Sequence, residues 1–323
     1  KPCFVKTYME DRKFSGFKIY PALGYYPFDV HLLPLWRYAS ENNIPIMSHC
    51  VIGIIYYRGK KKREWNLHPV FKQYYNNRNL HDPIAMLLPQ QKNVDFQFNF
   101  THPMNYLCLY EERFLKDVLA TASKETQDLF GYKKDKTSLD FSLSNLKLCM
   151  AHYGGEDEWT KYLETDRDVY ARSIITNPDT GIDFMQNSEG NFSWDKINSL
   201  WHDTDWYSII TSLLMRYENI YADLSYIISK PSIYPLLRKT LEKADNYDVE
   251  MQAYTAEVSP NKKASHLTGR NRLRSHVLYG TDFYVVRNHN SDKDLFIETQ
   301  AAIDEESFDL IARENTHNYL SRL

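Results

Sequence analysis

The chain has 323 residues, 43% hydrophobic and 15% aromatic, with 25 Tyr and 16 Phe. That much apolar surface excludes wholesale disorder and is enough for one large domain or two ordinary ones. Lys and Arg number 39 against 42 Asp and Glu, a net charge of −3, which argues against a protein built mainly to bind nucleic acid.

The first strand signal is 16–21 (GFKIYP), a short apolar run closed by a proline. A helix follows over 34–43, with Leu35, Tyr38 and Ala39 at helical spacing. Residues 44–50 (IPIMSHC) read as a second strand, 145–152 (NLKLCMAH) as a third, closed by Gly154 and Gly155. A helix over 206–217 leads to a fourth strand at 219–225 (NIYADLS), and 275–282 (SHVLYGTD) reads as a fifth. The stretch 305–323 reads as a terminal helix. Strands alternating with helical patterns predict βαβ units and a parallel sheet.

Two stretches, 51–144 and 156–205, interrupt that rhythm. They are polar, aromatic and loop-rich, and loops so long usually build a binding surface or a lid. The first carries Lys60, Lys61, Lys62 and Arg63, a basic run expected to be solvated. The polar segment 244–269 reads as a mobile insertion. The four cysteines, Cys3, Cys50, Cys108 and Cys149, form no CxxC pair and read as reduced, structural thiols. With no apolar run of about 18 residues and no signal peptide, the expectation is a cytoplasmic protein with no membrane partner.

Polar residues gather at the carboxyl ends of the predicted strands. His49 ends one, His152 another and Asp282 a third, while Asp223 lies near the end of a fourth. In a parallel α/β barrel these ends converge on the face that carries the chemistry. Imidazole and carboxylate together suit Zn²⁺ or a similar divalent ion. Alone, a His after a strand is more often a hydrogen-bonded structural residue; three such ends in one chain favour a site. Lys18 and Tyr20 share one face of the first strand by period-two alternation and would line its pocket.

The ordered set GFKIYPALGYYP, IPIMSHC, FTHPMNY, LKLCMAHYGG, NIYADLSY, VLYGTDFY and ENTHNYL resembles the amidohydrolase superfamily. The nearest branch is the amidohydrolase-related metal-dependent hydrolases, which includes aminocarboxymuconate-semialdehyde and resorcylate-type decarboxylases. The resemblance runs from about Gly16 to the C-terminus, outside the long loops. It implies a single (β/α)8 barrel domain over 1–323, with insertions at about 51–144 and 156–205. It also implies a divalent metal, Zn before others, at the strand carboxyl ends. His49 would match the fifth-strand metal ligand and His152 the sixth-strand His that moves protons beside the metal. Asp282 would match the eighth-strand Asp, which ligates the metal or activates its water. A carbamylated bridging lysine at Lys18 is a less favoured variant.

The chain departs from that pattern in one respect. The family's first strand carries an HxH or ExH pair, and none occurs here. GFKIYP resembles the fourth strand, so the resemblance places the first three strands outside this sequence. They would lie on a longer chain or on a second chain; the third reading is a degenerate, metal-free member.

The function expected is hydrolysis of an amide, ester or lactone-type bond of a small molecule by a metal-activated water. The alternatives are decarboxylation of a small carboxylic acid, or an inactive barrel used as a binding or assembly module. Relatives imply a homodimer through the terminal helix. Three more residues carry paired readings. His102 is either a substrate contact or a turn residue fixed by Pro103. Arg287 either pairs a substrate carboxylate or is an exposed loop residue. Asp223 either orients a ligand or makes a structural hydrogen bond.

Overall fold

A computed structural model describes residues 4–74, 82–89, 91–164, 170–244, 266–288 and 290–321. Its centre is a five-stranded sheet of β1 (Phe17–Ile19), β2 (Ile46–His49), β5 (Leu148–Ala151), β6 (Ile220–Asp223) and β7 (Val277–Leu278). Strands β3 (Leu67–Gln73) and β4 (Ile84–Leu87) form a separate antiparallel pair. The five strands lie side by side in chain order and every neighbouring pair is parallel. All their carboxyl ends therefore lie along one edge, as the sequence pattern requires of a parallel α/β sheet.

Register decides what each face of the sheet does. Phe17 pairs with Ile46, Met47 with Cys149, Cys149 with Tyr221 and Asp223 with Leu278. Because successive side chains point to opposite faces, one face carries Ile46, Leu148, Met150, Ile220, Ala222 and Val277. These belong to the main core. The helix Trp206–Arg216, buried at every position except its last, packs into that core. The helix Leu33–Glu41 adds Trp36, whose ring stacks on Phe17 at 6.1 Å.

The other face carries Lys18, Met47, His49, Cys149, Tyr221, Asp223 and Leu278. Part of it is a second, small core of Cys149, Tyr221, Leu278 and Tyr319, with Met47 against it. Tyr319 comes from the last helix, Asn315–Leu320, which lies across the amino ends of the strands. There the carbonyl of Ser321 accepts from Lys147 Nζ at 2.8 Å and from Asn43 Nδ2 at 3.4 Å. Leucine would serve as cover; a tyrosine reaches further along the face.

The described parts of the two insertions hold more regular structure than their polar composition suggests. Residues 51–144 hold the β3–β4 pair and short helices, among them Phe98–Thr101, Glu112–Leu119 and Lys124–Phe130. The second holds Glu156–Leu163, Arg172–Thr176 and Trp194–Asp203. Their aromatic side chains, including Trp65, Phe71, Phe100, Phe114 and Trp201, join the main core, which is where the apolar content of these stretches goes. In the basic run Lys60, Lys62 and Arg63 are exposed, as expected, and Lys61 is half-buried. Lys61 Nζ sits 4.0 Å from the Phe96 ring centre and Lys62 Nζ 5.3 Å from that of Trp65, so both charges rest on aromatic faces.

Three element boundaries differ from the sequence reading. The fifth strand shrinks from 275–282 to Val277–Leu278, because the Tyr279 N–H turns away to the Ile311 carbonyl at 3.0 Å. Residues 266–276, partly read as that strand, are helical. The terminal helix is broken by a π turn, Leu310–Glu314, between Glu305–Asp309 and Asn315–Leu320. Asn315 Nδ2 then bonds the carbonyls of Arg274 and Val277 and ties the helix to β7. The segment expected to be a mobile insertion, 244–269, lies mostly outside the described residues. Among the described residues Cys50, Cys108 and Cys149 are free and buried. No helix among them is long and apolar enough to cross a membrane.

Candidate functional site

The site begins with a row of side chains on the second face of the sheet. Lys18 Nζ lies 5.2 Å from the Tyr20 ring centre. Tyr20 stacks on His49 at 5.2 Å, and His49 meets His152 edge-on at 5.0 Å. Strand alternation brings Lys18, Tyr20 and His49 to one face, and the parallel register sets β5, which delivers His152, beside β2. The sequence reading grouped these four, and the structure places them together.

His49 is the unusual member. It is 7% exposed, yet neither ring nitrogen has a hydrogen-bond partner among the described residues. Burial first, then the nearby His152 and Lys18, lowers its pKa to about 3, so the ring is neutral. A buried imidazole without partners forfeits hydrogen bonds it would make in water, which costs about 1–3 kcal/mol per group. Gly53 lies over the ring: a Cβ at that glycine would stand 3.8 Å from His49 Nε2.

His152 is held in the opposite way. Its backbone N–H donates to Asp223 Oδ1 at 3.0 Å, and its Nδ1 lies 3.0 Å from both the carbonyl oxygen and Oγ of Ser225. The chain there runs through four successive positive φ angles, at His152, Tyr153, Gly154 and Gly155 (68°, 43°, 84° and 96°). For the two non-glycine residues this is strained backbone. The turn is held by Gly154 N–H on the Cys50 carbonyl, Trp159 Nε1 on the Tyr153 carbonyl and the Tyr153 hydroxyl on Thr211. Gly155 is required twice over: its φ suits glycine, and a Cβ would come within 2.6 Å of Val51 Cγ2.

Asp223 closes the β6 end. Its Oδ1 accepts from the backbone N–H groups of His152 and Ser225 and from the Ser225 hydroxyl. Of the two readings offered by the sequence, its bonds are of the structural kind, and they are spent on fixing His152.

Asp282 does not end a strand. It lies four residues beyond β7 in the left-handed conformation (φ 51°, ψ 47°), where it opens the short helix Phe283–Val286. An aspartate tolerates that region better than most residues. The loop that carries it passes the site: the Tyr226 N–H donates to the Thr281 carbonyl at 3.4 Å, and Gly280 packs on Ser225. The Asp282 carboxylate makes no hydrogen bond or ion pair with the described residues. Arg287 is exposed, with its guanidinium 5.6 Å from the Phe283 ring centre. His102 is fully buried, stacked on Trp201 at 3.9 Å, and its Nδ1 accepts from Met104 N–H at 3.2 Å. That is the turn geometry anticipated from Pro103, in the core of the insertion.

Whether these residues fit a metal can be judged from the donors. The free nitrogens of His49 and the unengaged Asp282 carboxylate suit a divalent ion. Among the described residues, however, no group of three or more His, Cys, Asp or Glu converges to hold one. The fit is partial, and further donors would have to come from beyond the described residues.

Two residues that the sequence reading did not single out also shape the site. Gln97 clamps Gly53 at both ends of its peptide, Nε2 to the carbonyl at 2.8 Å and Oε1 from the N–H at 3.2 Å. Ser225 follows Asp223 by two and was visible only as part of NIYADLSY. Compared with protein-family models, with curated proteins and with solved structures, the chain matches none.

Proposed function

We propose that this chain is a metal-dependent hydrolase of the amidohydrolase type, acting on an amide, ester or lactone-type bond of a small molecule. Its parallel strands would be an arc of a (β/α)8 barrel. Five strands in chain order, all parallel, support that architecture. One observation carries the functional reading: His49 is buried and neutral, at the carboxyl edge of the sheet, with no hydrogen-bond partner at either ring nitrogen among the described residues.

His49 and Asp282 would hold the divalent ion, Zn²⁺ by donor type. Bound there, such an ion supplies a water whose pKa is brought toward neutrality. The rest falls to the chain's own side chains. His152, fixed by Asp223 and Ser225, takes or returns a proton at the reacting centre. Tyr20 keeps the His49 ring in place by stacking. The Lys18 ammonium, which has no ion-pair partner among the described residues, offers an anchor for an anionic substrate group.

Metal content of the full gene product tests this directly. About one equivalent of zinc or manganese is expected, lost in both His49→Ala and Asp282→Ala. A folded protein that takes up no divalent ion would sink the metal reading and leave an inactive binding module. Metal-replete protein that cleaves no ester, amide or lactone but releases CO₂ from carboxylic acids would turn the assignment to decarboxylation.

A further inference from the structure

Ser225 lies between a buried carboxylate and the His152 ring, and its hydrogen bonds permit only one arrangement of protons. The Ser225 carbonyl oxygen, 3.0 Å from His152 Nδ1, can only accept. Nδ1 must therefore carry a proton. Asp223 Oδ1 already accepts from the backbone N–H groups of His152 and Ser225, and it takes the Ser225 hydroxyl proton as well. That leaves an oxygen lone pair of the same hydroxyl facing His152 Nδ1 at 3.0 Å. Both acceptors at Nδ1 thus select one tautomer. Nε2 is left unprotonated, and it makes no hydrogen bond with the described residues.

We infer that Ser225 is a positioning residue that locks His152 as the Nδ1–H tautomer, so that Nε2 is its working nitrogen, with Asp223 orienting the Ser225 hydroxyl. The inference rests on the hydrolase reading for the use made of Nε2, but the tautomer itself does not depend on it. When Nε2 takes a proton, the ring becomes an imidazolium. Nδ1–H stays on its two Ser225 oxygens, and no proton passes to Asp223. The ring then sits one hydroxyl away from Asp223. The strained backbone at His152 has the same consequence. The N–H that anchors the turn donates to the same Asp223 oxygen, so one carboxylate fixes the chain and the ring together.

Nitrogen-15 NMR of histidine-labelled protein, with His152 assigned by its loss in His152→Gln, reads the tautomer without any substrate. At a pH where the ring is neutral, the wild type is expected to show Nδ1 protonated and Nε2 bare. Ser225→Ala removes one of two acceptors and is expected to raise the Nε2–H share about fivefold, the worth of one neutral hydrogen bond. Ser225→Thr, which keeps the hydroxyl, restores the wild-type pattern. Should Ser225→Ala not fold, Ser225→Cys, with its weak acceptor, takes its place. A wild-type His152 protonated at Nε2, or a Ser225→Ala spectrum identical to wild type, overturns the inference. Failure of the hydrolase reading would appear separately, as absence of metal or turnover with the tautomer intact.

Discussion

At the scale of single residues, three buried histidines differ in how their ring nitrogens are bonded. His68 is fully satisfied. Its Nδ1 accepts from Val70 N–H at 3.1 Å and Phe71 N–H at 2.8 Å, so Nε2 carries the proton toward Asn105 Oδ1 at 3.1 Å. His102 caps a turn. His49 has ring contacts with Tyr20 and His152 but, among the described residues, no hydrogen-bond partner at either nitrogen. Sequence could not rank them, because each is a histidine near the end of an apolar or turn segment, and what differs is which backbone N–H groups the fold brings to the ring. The placement of His49 and His152 at strand ends was legible from apolar runs closed by polar residues. The position of Asp282 was misread, because Tyr279 bonds the terminal helix instead of extending β7. The satisfied histidine gives a pH test. Burial lowers the His68 pKa from 6.5 to about 3, so between those values the unfolded chain binds more protons than the folded one. Stability from this group is full above pH 6.5 and drains away as pH falls toward 3. Denaturant unfolding at pH 7 and pH 5 should show a loss, of which His68 contributes up to about 2 kcal/mol. In His68→Gln the loss should be smaller by about that amount. An equal loss in both proteins would mean that His68 does not titrate differently on folding.

Among the elements, the first insertion holds the loop over the site. Residues 51–144 carry the strand–loop connection after β2, and Gln97, 1% exposed, grips Gly53 through both amide atoms. Cys50 Sγ contacts the Thr101 carbonyl at 3.4 Å, and Tyr57 N–H bonds the Ala22 carbonyl at 2.8 Å, so this loop is also tied to the helix Phe98–Thr101 and to the turn after β1. The polar composition of the stretch read as loop, because its short helices are dispersed and their aromatic residues face a shared core instead of forming an amphipathic stripe of their own. Gln97→Leu keeps the size and removes both bonds. It should cost about 1–3 kcal/mol, the range for leaving buried partners unsatisfied. The Gly53 amide should then exchange with deuterium faster than in wild type while amides of β5 and β6 keep their protection. Unchanged protection at Gly53 would show that the covering loop is held by its other contacts.

Across the whole molecule, the sheet is asymmetric. One face meets helices throughout and forms the main core. The other carries an apolar cluster under Tyr319 and, beside it, Lys18, Tyr20, His49 and Asp223. The sequence implied the parallel order of the strands. It did not reveal what covers the second face, since Tyr319 sits at the far end of the chain and the π turn that aims it leaves no simple mark on helical periodicity. Tyr319 is 4% exposed, packs on Tyr221 at 5.0 Å and shares a cluster with Cys149 and Leu278. Burial, reinforced by Cys149 and Asp223, pushes its phenol pKa well above 10. Tyr319→Ala would open a cavity beneath the site at a cost of about 3–5 kcal/mol, the range for deleting a large buried aromatic. Tyr319→Phe keeps the ring and should stay within about 1.5 kcal/mol of wild type, the net value of a hydroxyl's hydrogen bonding. If Tyr319→Ala cost less than about 1 kcal/mol in urea unfolding, far below the range for such a deletion, the apolar cluster on this face would not depend on the terminal helix. A large loss in Ala with little in Phe would instead establish this ring as the floor on which the His49 and His152 end of the sheet is built.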